Sequence, residues 1–505
     1  MVLTPRRCLM FAVTLGSGSL VGFESGYLNG ILASDDFIHR YGQSDARGNW
    51  TLSATTRSMF TSMLVVGALV GCCLTPFLPN SFGFRGRFIL GSITLTIGIA
   101  LQLVGKFEAV FIVGRVLEGC TLGIISTTVP SYLIETVPGA NRGWVIGLYE
   151  QIVTTGLVTA TGANYGLSYL GGSRQWRIEI DIQFAQAILL LTAGLTNPES
   201  PRHLARLGDL TGARKSLSQI RGLPATSRAL DEAMTELHTT WMTEDAQQAQ
   251  VRFRECFEGP NLRRLLLGCA MGFNAESTGI IFFLSYSTTF FSAAGVSNAH
   301  LVTFLIGLVM SASTLPSIYC LDHLGRRTCA FIGGALMLII CSLTGAIHSA
   351  TPPDSPTSKH ALIAGSILFI AAYASTWGSL GWLVITEAYS VRLRTHQTTI
   401  AMCAFWVSQW LFGFVTPYMV DASAGDLGVN VMYLLAGLSL LALVWAYFWL
   451  PELSGLTQAE MDRLFQERVP AWRSKAWKRE QILVVVEAVS RNGSLQDIGA
   501  VMAKS

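Results

Sequence analysis

Residues 428–450 read GVNVMYLLAGLSLLALVWAYFWL, without one charged side chain. Crossing the hydrocarbon core of a bilayer takes about 20 predominantly apolar residues in a helix, so this stretch is long enough to span it. Working outward, comparable stretches occur at 9–33, 57–79, 86–104, 108–134, 143–168, 176–196, 264–291, 300–321, 326–348, 361–390 and 396–420, and twelve spans are expected. Gly, Ser and Thr interrupt several of them, as suits helices that line a polar cavity rather than face lipid. Composition points the same way. Of 505 residues 50% are hydrophobic and 13% charged, where a soluble domain carries about 25% charged residues; the mean hydropathy is +0.45. So little charge excludes a cytosolic enzyme, a disordered scaffold and a coiled coil. Arg6 and Arg7 precede the first apolar run as they would in a signal peptide, but the run continues past Leu20 without a small-residue cleavage site. It reads as a retained first helix.

The longest break, 197–263, is charged and poor in long apolar runs. It divides the chain into an N-terminal six-helix bundle (1–196), a cytosolic helical linker (197–263), a C-terminal six-helix bundle (264–450) and a cytosolic tail (451–505). Thr457 and Glu460 open the tail as a capping box. Lys and Arg in short loops set orientation. Arg6, Arg7, Arg85, Arg87, Arg142, Arg326, Arg327, Arg392, Arg394 and the basic linker collect on one side; Arg40, Arg47, Lys106, Arg174 and Lys359 fall on the other. The richer side holds both termini and is expected to be cytosolic. Asn49-Trp50-Thr51 then places a glycosylation sequon in the first outer loop, whereas the sequon at Asn492 lies in the cytosol. The ten cysteines show no CxxC or paired spacing and read as small buried hydrophobes.

Three patterns recur in order. Asn80-Ser81-Phe82-Gly83-Phe84-Arg85 returns as Asp322-His323-Leu324-Gly325-Arg326-Arg327, Glu135 with Arg142 returns as Glu387 with Arg394, and Pro198-Glu199-Ser200 returns as Pro451-Glu452-Leu453. Each lies at an inner membrane boundary, which indicates two homologous halves. Guanidinium groups on a tight Gly turn between helix ends can pair with carboxylates and with helix C-terminal carbonyls. Arg85, Glu135, Arg142, Asp322, Arg326, Arg327, Glu387 and Arg394 are therefore expected to form a gating latch whose breakage lets the halves part. Glu24 lies near the middle of the first span. A carboxylate at that depth costs several kcal/mol unless it is paired or protonated, so it marks a functional position.

These residues also carry a family resemblance over about residues 10–460. Pro198-Glu199-Ser200-Pro201-Arg202 matches the sugar-porter signature after the sixth helix. Gly114-Arg115-Val116-Leu117-Glu118-Gly119 is similar to the fourth-helix motif, Pro130 through Gly143 to the helix-end motif, and Pro451 through Thr457 to the tail signature. The chain resembles the sugar porters of the major facilitator superfamily, of fungal type. That resemblance implies an all-α membrane protein with two six-helix bundles around a central cavity, working by alternating access. It also implies that Glu24 stands where proton-coupled members carry an acid, with Arg115 as its basic partner.

The departures bear on substrate. The family's seventh helix carries a Gln-Gln pair and an Asn that bind sugar hydroxyls; here Ala275, Glu276 and Ile281 stand there. Glu150, beside Gln151, replaces the fifth-helix Gln, Gln409 replaces the eleventh-helix Asn, and the tenth-helix tryptophan is kept as Trp382. Glu150, Gln151, Glu276, Trp382 and Gln409 are thus the expected substrate contacts. Tyr286, Phe282, Phe283 and Trp406 supply further aromatic faces, and Asn164, Gln183 and Asn274 are polar residues near the path. An ionised carboxylate only accepts hydrogen bonds, so two extra acids favour a substrate rich in donors or positive charge, or protonated acids.

The expected function is secondary active transport of a sugar or related small polar solute, with proton symport. Alternatives are a non-transporting nutrient sensor on the same fold and an efflux carrier for a cationic or amphiphilic metabolite; receptors of the first kind usually have a longer tail. The sequence holds no nucleotide loop, metal cluster or nucleophile constellation, so no enzyme and no cofactor other than the coupling proton is expected. The partners are a small-molecule substrate and the lipid bilayer, with no nucleic acid, for a monomer in the plasma membrane.

Overall fold

The computed structural model describes residues 5–44, 50–75, 78, 82–137, 142–224, 226–235, 239, 252–352, 355–390, 392–420 and 425–481. Asn49 lies outside them, as do the side chains of Arg142 and Asp322. Among the described residues twelve long helices follow one another: α1 (Cys8–Ile31), α2 (Ala54–Leu74), α3 (Gly83–Val104), α4 (Glu108–Thr136), α5 (Arg142–Leu167), α6 (Arg174–Thr196), α7 (Gly259–Ala293), α8 (Ala299–Leu324), α9 (Arg326–Ala350), α10 (Pro356–Glu387), α11 (Arg394–Val420) and α12 (Val431–Trp449). Eleven are apolar enough to cross a membrane by composition alone. The twelfth is α5, whose Thr- and Gly-rich sequence dilutes its hydropathy because it runs along the seam between the halves, against α1 and α8. An antiparallel pair, Gln43–Ser44 with Trp50–Thr51, lies in the first loop and was not expected.

Each half has its own apolar core. One gathers Phe23, Phe60, Phe88, Ile125 and Leu190; the other gathers Phe283, Met337, Phe369, Trp377 and Leu435, and takes in Leu64, Ala68 and Leu122 of the first half. That overlap follows from α2 packing against both α4 and α11. Helices in lipid approach closely where residues are small. At Gly119 on α4 a Cβ would sit 1.9 Å from the Leu64 carbonyl of α2, so only glycine admits this spacing. Two second-half helices are irregular. α7 breaks at Gly279, with φ of 107°, and α10 contains a π-helical turn at Ala374–Gly378.

The internal repeat is visible in atoms. Glu199, after α6, accepts backbone N–H bonds from Phe84 (2.8 Å) and Arg85 (3.1 Å) at the start of α3. Glu452, after α12, accepts them from Arg326 (2.8 Å) and Arg327 (3.2 Å) at the start of α9. A carboxylate at a helix N-terminus meets unpaired donors and the positive end of the macrodipole. Gly83 (φ 55°) and Gly325 (φ 86°) make the turns, and a Cβ on either would fall 2.3 or 2.5 Å from that carboxylate. The linker forms helices Pro201–Arg206 and Leu210–Arg221, and the tail forms Gln458–Gln466 behind the expected Thr457–Glu460 capping box. Gly325→Ala is expected to cost about 2–4 kcal/mol, from a strained backbone plus a displaced carboxylate. Gly437→Ala, where an added methyl group meets nothing within 4 Å, is the reference; equal melting temperatures for the two variants in detergent would remove the proposed role of this turn.

Candidate functional site

Glu24, Arg115 and Glu118 meet inside the first half at 2%, 1% and 0% exposure. Their placement follows from helix geometry: Glu24 and Tyr27 share a face of α1, and Arg115 and Glu118 share a face of α4, three residues apart in each case. Arg115 Nη1 donates to Glu24 Oε2 (3.2 Å), Glu118 Oε2 (3.2 Å) and the Tyr27 hydroxyl (2.5 Å), while its Nε donates to the Phe60 carbonyl of α2 (3.0 Å). The Tyr27 hydroxyl in turn lies 3.0 Å from Glu118 Oε2 and 3.2 Å from Gln102 Oε1 of α3. With its amide nitrogen turned inward, Gln183 of α6 donates to Glu24 Oε1 (3.1 Å) and Glu118 Oε1 (2.8 Å). Two acids thus face one guanidinium: with both ionised the cluster carries one net negative charge, and a single proton makes it neutral.

Sequence reasoning found Glu24 and Arg115 but passed over Glu118, Tyr27 and Gln102. The signal for Glu118 was present, since it stands one turn from Arg115 inside the quoted fourth-helix motif.

The cluster opens onto a narrow central cavity between the halves, with room for about two waters in this conformation. Glu24, Arg115, Asn29, Ile281, Trp406 and Gln409 are among its walls. Of the five expected substrate contacts, only Gln409 lines it, its Oε1 without a hydrogen-bond partner. Glu150 and Gln151 sit elsewhere on the seam. Glu150 accepts from Ser379 of α10 (3.0 Å), and Gln151 donates to Ser311 of α8 (2.7 Å). Glu276 is buried on α7 with Oε2 unpartnered. The Trp382 ring rests 5.1 Å from that of Phe405 and does not line the cavity. Asn164 and Asn274 bond to backbone carbonyls of Gly26 and Ala270.

The arginine turns behave otherwise than expected of a latch between halves. Arg326 grips Glu387 through Nε (3.3 Å) and Nη2 (3.1 Å), and Arg327 donates to the carbonyls of Ala446, Tyr447 and Leu450. Arg85 donates to the carbonyls of Gly194 and Leu195, and Glu135 accepts from Ser200. The arginine contacts each join elements of one half, because the Gly turn sets its guanidinium under the neighbouring helix end of its own bundle, and Glu135 ties α4 to the start of the linker. Arg394 opens α11. Among the described residues, contacts that do cross between the halves include uncharged donors and thiols. On the face of the termini, Cys73 lies 3.9 Å from Cys403. On the opposite face Asn29 donates to Ser287 (2.8 Å), Ser58 to the Phe414 carbonyl (2.7 Å) and Tyr286 to Thr61 (2.9 Å).

Removing one partner of a buried ion cluster costs about 3–5 kcal/mol, because it strands the other charge. Arg115→Ala is expected to lose that much stability, and adding Glu118→Gln should recover part of it by removing a stranded acid. Melting of the purified variants in detergent measures both; a double variant less stable than the single one would contradict this account.

Comparison with known proteins follows the same outline. The family model described as "Sugar (and other) transporter" matches residues 9–465. The chain is 29% identical to the low-affinity glucose transporter of Kluyveromyces lactis, covering 93% of this chain and 84% of that one. It is 30% identical to the high glucose sensor RGT2 of Saccharomyces cerevisiae, covering 94% of this chain and 63% of the sensor. The inward-open xylose transporter XylE from E. coli superposes with a TM-score of 0.74 at 19% identity, over 91% of this chain and 99% of that one. The protein has the major facilitator fold, is a multi-pass membrane protein and not an enzyme, and belongs to the sugar transporter family.

Proposed function

We propose that this protein is a secondary active transporter of a sugar or a closely related small polar solute, and that it moves its substrate together with protons. The observation that carries the proton reading is the Glu24–Arg115–Glu118 cluster, whose Glu24 and Arg115 also wall the central cavity. An ion drives alternating access only if its affinity differs between the two access states. Taking a proton onto Glu24 loosens its hold on Arg115 and shifts the preferred side of opening. The relatives support the cargo class: one is a low-affinity glucose transporter, and XylE has been described as a proton:xylose symporter.

In this reading Gln409, Glu276, Glu150, Gln151 and Trp382 contact substrate once the cavity widens. Arg85, Arg326 and Arg327, with Glu135, Glu387 and Arg394 and with Arg142 and Asp322, fix the helix ends of each half, so that each half swings as one piece. The face carrying the termini is cytosolic in the plasma membrane, the protein acts as a monomer, and Asn49 is glycosylated.

A sensor reading is favoured by the likeness to RGT2 and separates cleanly from transport, since a sensor binds sugar without moving it. Uptake of radiolabelled hexoses and pentoses into transporter-deficient cells is the test. Wild-type uptake should rise as outer pH falls and collapse with a protonophore. Glu24→Gln, which keeps the hydrogen-bonding shape but cannot titrate, should lose accumulation and keep exchange. Accumulation indifferent to both pH and protonophore would leave a facilitator; binding without uptake would leave a sensor.

A further inference from the structure

Glu179 on α6 has 0% exposure, and neither carboxylate oxygen has a hydrogen-bond partner. A buried acid without a partner at membrane depth costs several kcal/mol relative to an apolar residue, so its presence asks for a role. Its position supplies one. Ile182 keeps right-handed helical angles (φ −57°, ψ −30°), so the two segments of α6 continue one spiral. Trp176, Glu179, Ile180 and Gln183 form its buried stripe. Glu179 and Gln183 therefore share a face one turn, about 5.4 Å, apart. Below, Gln183 reaches both Glu24 and Glu118. Above, Trp176 Nε1 donates at 2.8 Å to Asp36, a half-buried acid of the outer helix Asp35–Tyr41. From the face opposite the termini inward, the order is Asp36, Trp176, Glu179, Gln183 and the buried cluster.

The geometry points to Glu179 as a proton-binding site that exchanges protons between the outer side and the Glu24–Arg115–Glu118 cluster, by a route through the first half separate from the substrate cavity. This inference rests on the proton-coupled reading above. Glu179 is absent from the cavity wall, so the route stays available while substrate occupies that space. In the transfer, an outer hydronium protonates the Glu179 carboxylate and leaves as water. The Glu179 O–H then gives its proton to one intervening water, which protonates a cluster carboxylate, and Glu179 returns to its ionised form. The elements packed against this segment are α1, α3, α5, the rest of α6 and the outer helix Asp35–Tyr41, which sets Asp36, Phe37 and the Arg40 guanidinium against Trp176. They bring Glu24 and Tyr27 from α1, Tyr165 from the outer turns of α5, and no charged residue from the outer half of α3. On α6 itself, Arg174, Arg177 and Asp181 are exposed, with Arg177 over the Trp176 ring. None of these hydrogen-bonds Glu179.

Infrared difference spectroscopy on the reconstituted full-length protein, with the proton as probe, tests the route without knowledge of the substrate. Wild type should show two carboxyl bands between acid and neutral pH. Glu179→Gln should remove one and slow the appearance of the other after a pH jump by roughly 100-fold, the low end of what a positioned proton donor contributes. Glu24→Gln should leave the Glu179 band in place. Where melting shows that Glu179→Gln does not fold, Glu179→Met, suited to apolar surroundings, gives the same readout. An unchanged spectrum and unchanged rate in the folded variant would overturn the relay. A Glu24 band that ignores pH while the Glu179 band responds would instead sink the proton-coupled reading.

Discussion

A guanidinium in the middle of a bilayer has no water to bond with, and its donors must all be met by protein. Arg115 meets that demand with four hydrogen bonds, and the partners it recruits decide how the first half is put together. Glu24 and Tyr27 hold α1, the Phe60 carbonyl holds α2, Gln102 ties in α3 through Tyr27, and Gln183 brings in α6. The glycine contact between α2 and α4 brings the Phe60 carbonyl within reach. Five helices besides α5 are thus organised around one charge, which is shared between two acids.

At the face of the termini a different constraint operates, twice over. Glu199 and Glu452 each close the N-terminus of the third helix of their half, while arginines beside them bond the carbonyls of the sixth. Opposite helix poles are satisfied in one compact knot, with a left-handed glycine at its centre. Because the knot closes within a bundle, it stiffens each half without joining the two. Among the described residues the seam is bridged by hydroxyls, amides, thiols and the Glu150 carboxylate, in single bonds that are individually weak and easily exchanged.

Much of this was legible in the sequence, and the reason is physical. Long uncharged runs have one stable solution in lipid, so the spans and the two-half organisation could be read directly. Glu24 was legible because charge at such depth is rare, and Arg115 because the fourth-helix motif resembles that of the sugar porters. Glu118 was missed, although three residues from Arg115, because the motif was read for its arginine alone. Which bundle each boundary charge turns toward was not legible, because sequence spacing shows only that the charge lies near a boundary. Trp382 and Glu276 illustrate a further limit: a position within a motif does not say whether a side chain faces a cavity, which depends on packing against helices distant in sequence.

The break of α7 at Gly279 and the π turn of α10 at Ala374–Gly378 both fall in the second half, while the Glu24–Arg115–Glu118 cluster lies in the first. Helical irregularities of this kind are where a rod bends most readily. On the proposed transport cycle the two bundles divide the labour mechanically: one acts as an anvil that keeps the buried cluster in register, and the other as the hinged part that reshapes around the cargo. A change of solute can then be met by reworking the hinged helices without disturbing the cluster on the far side of the seam, and the departures Ala275, Glu276 and Ile281 all fall within four residues of the Gly279 break.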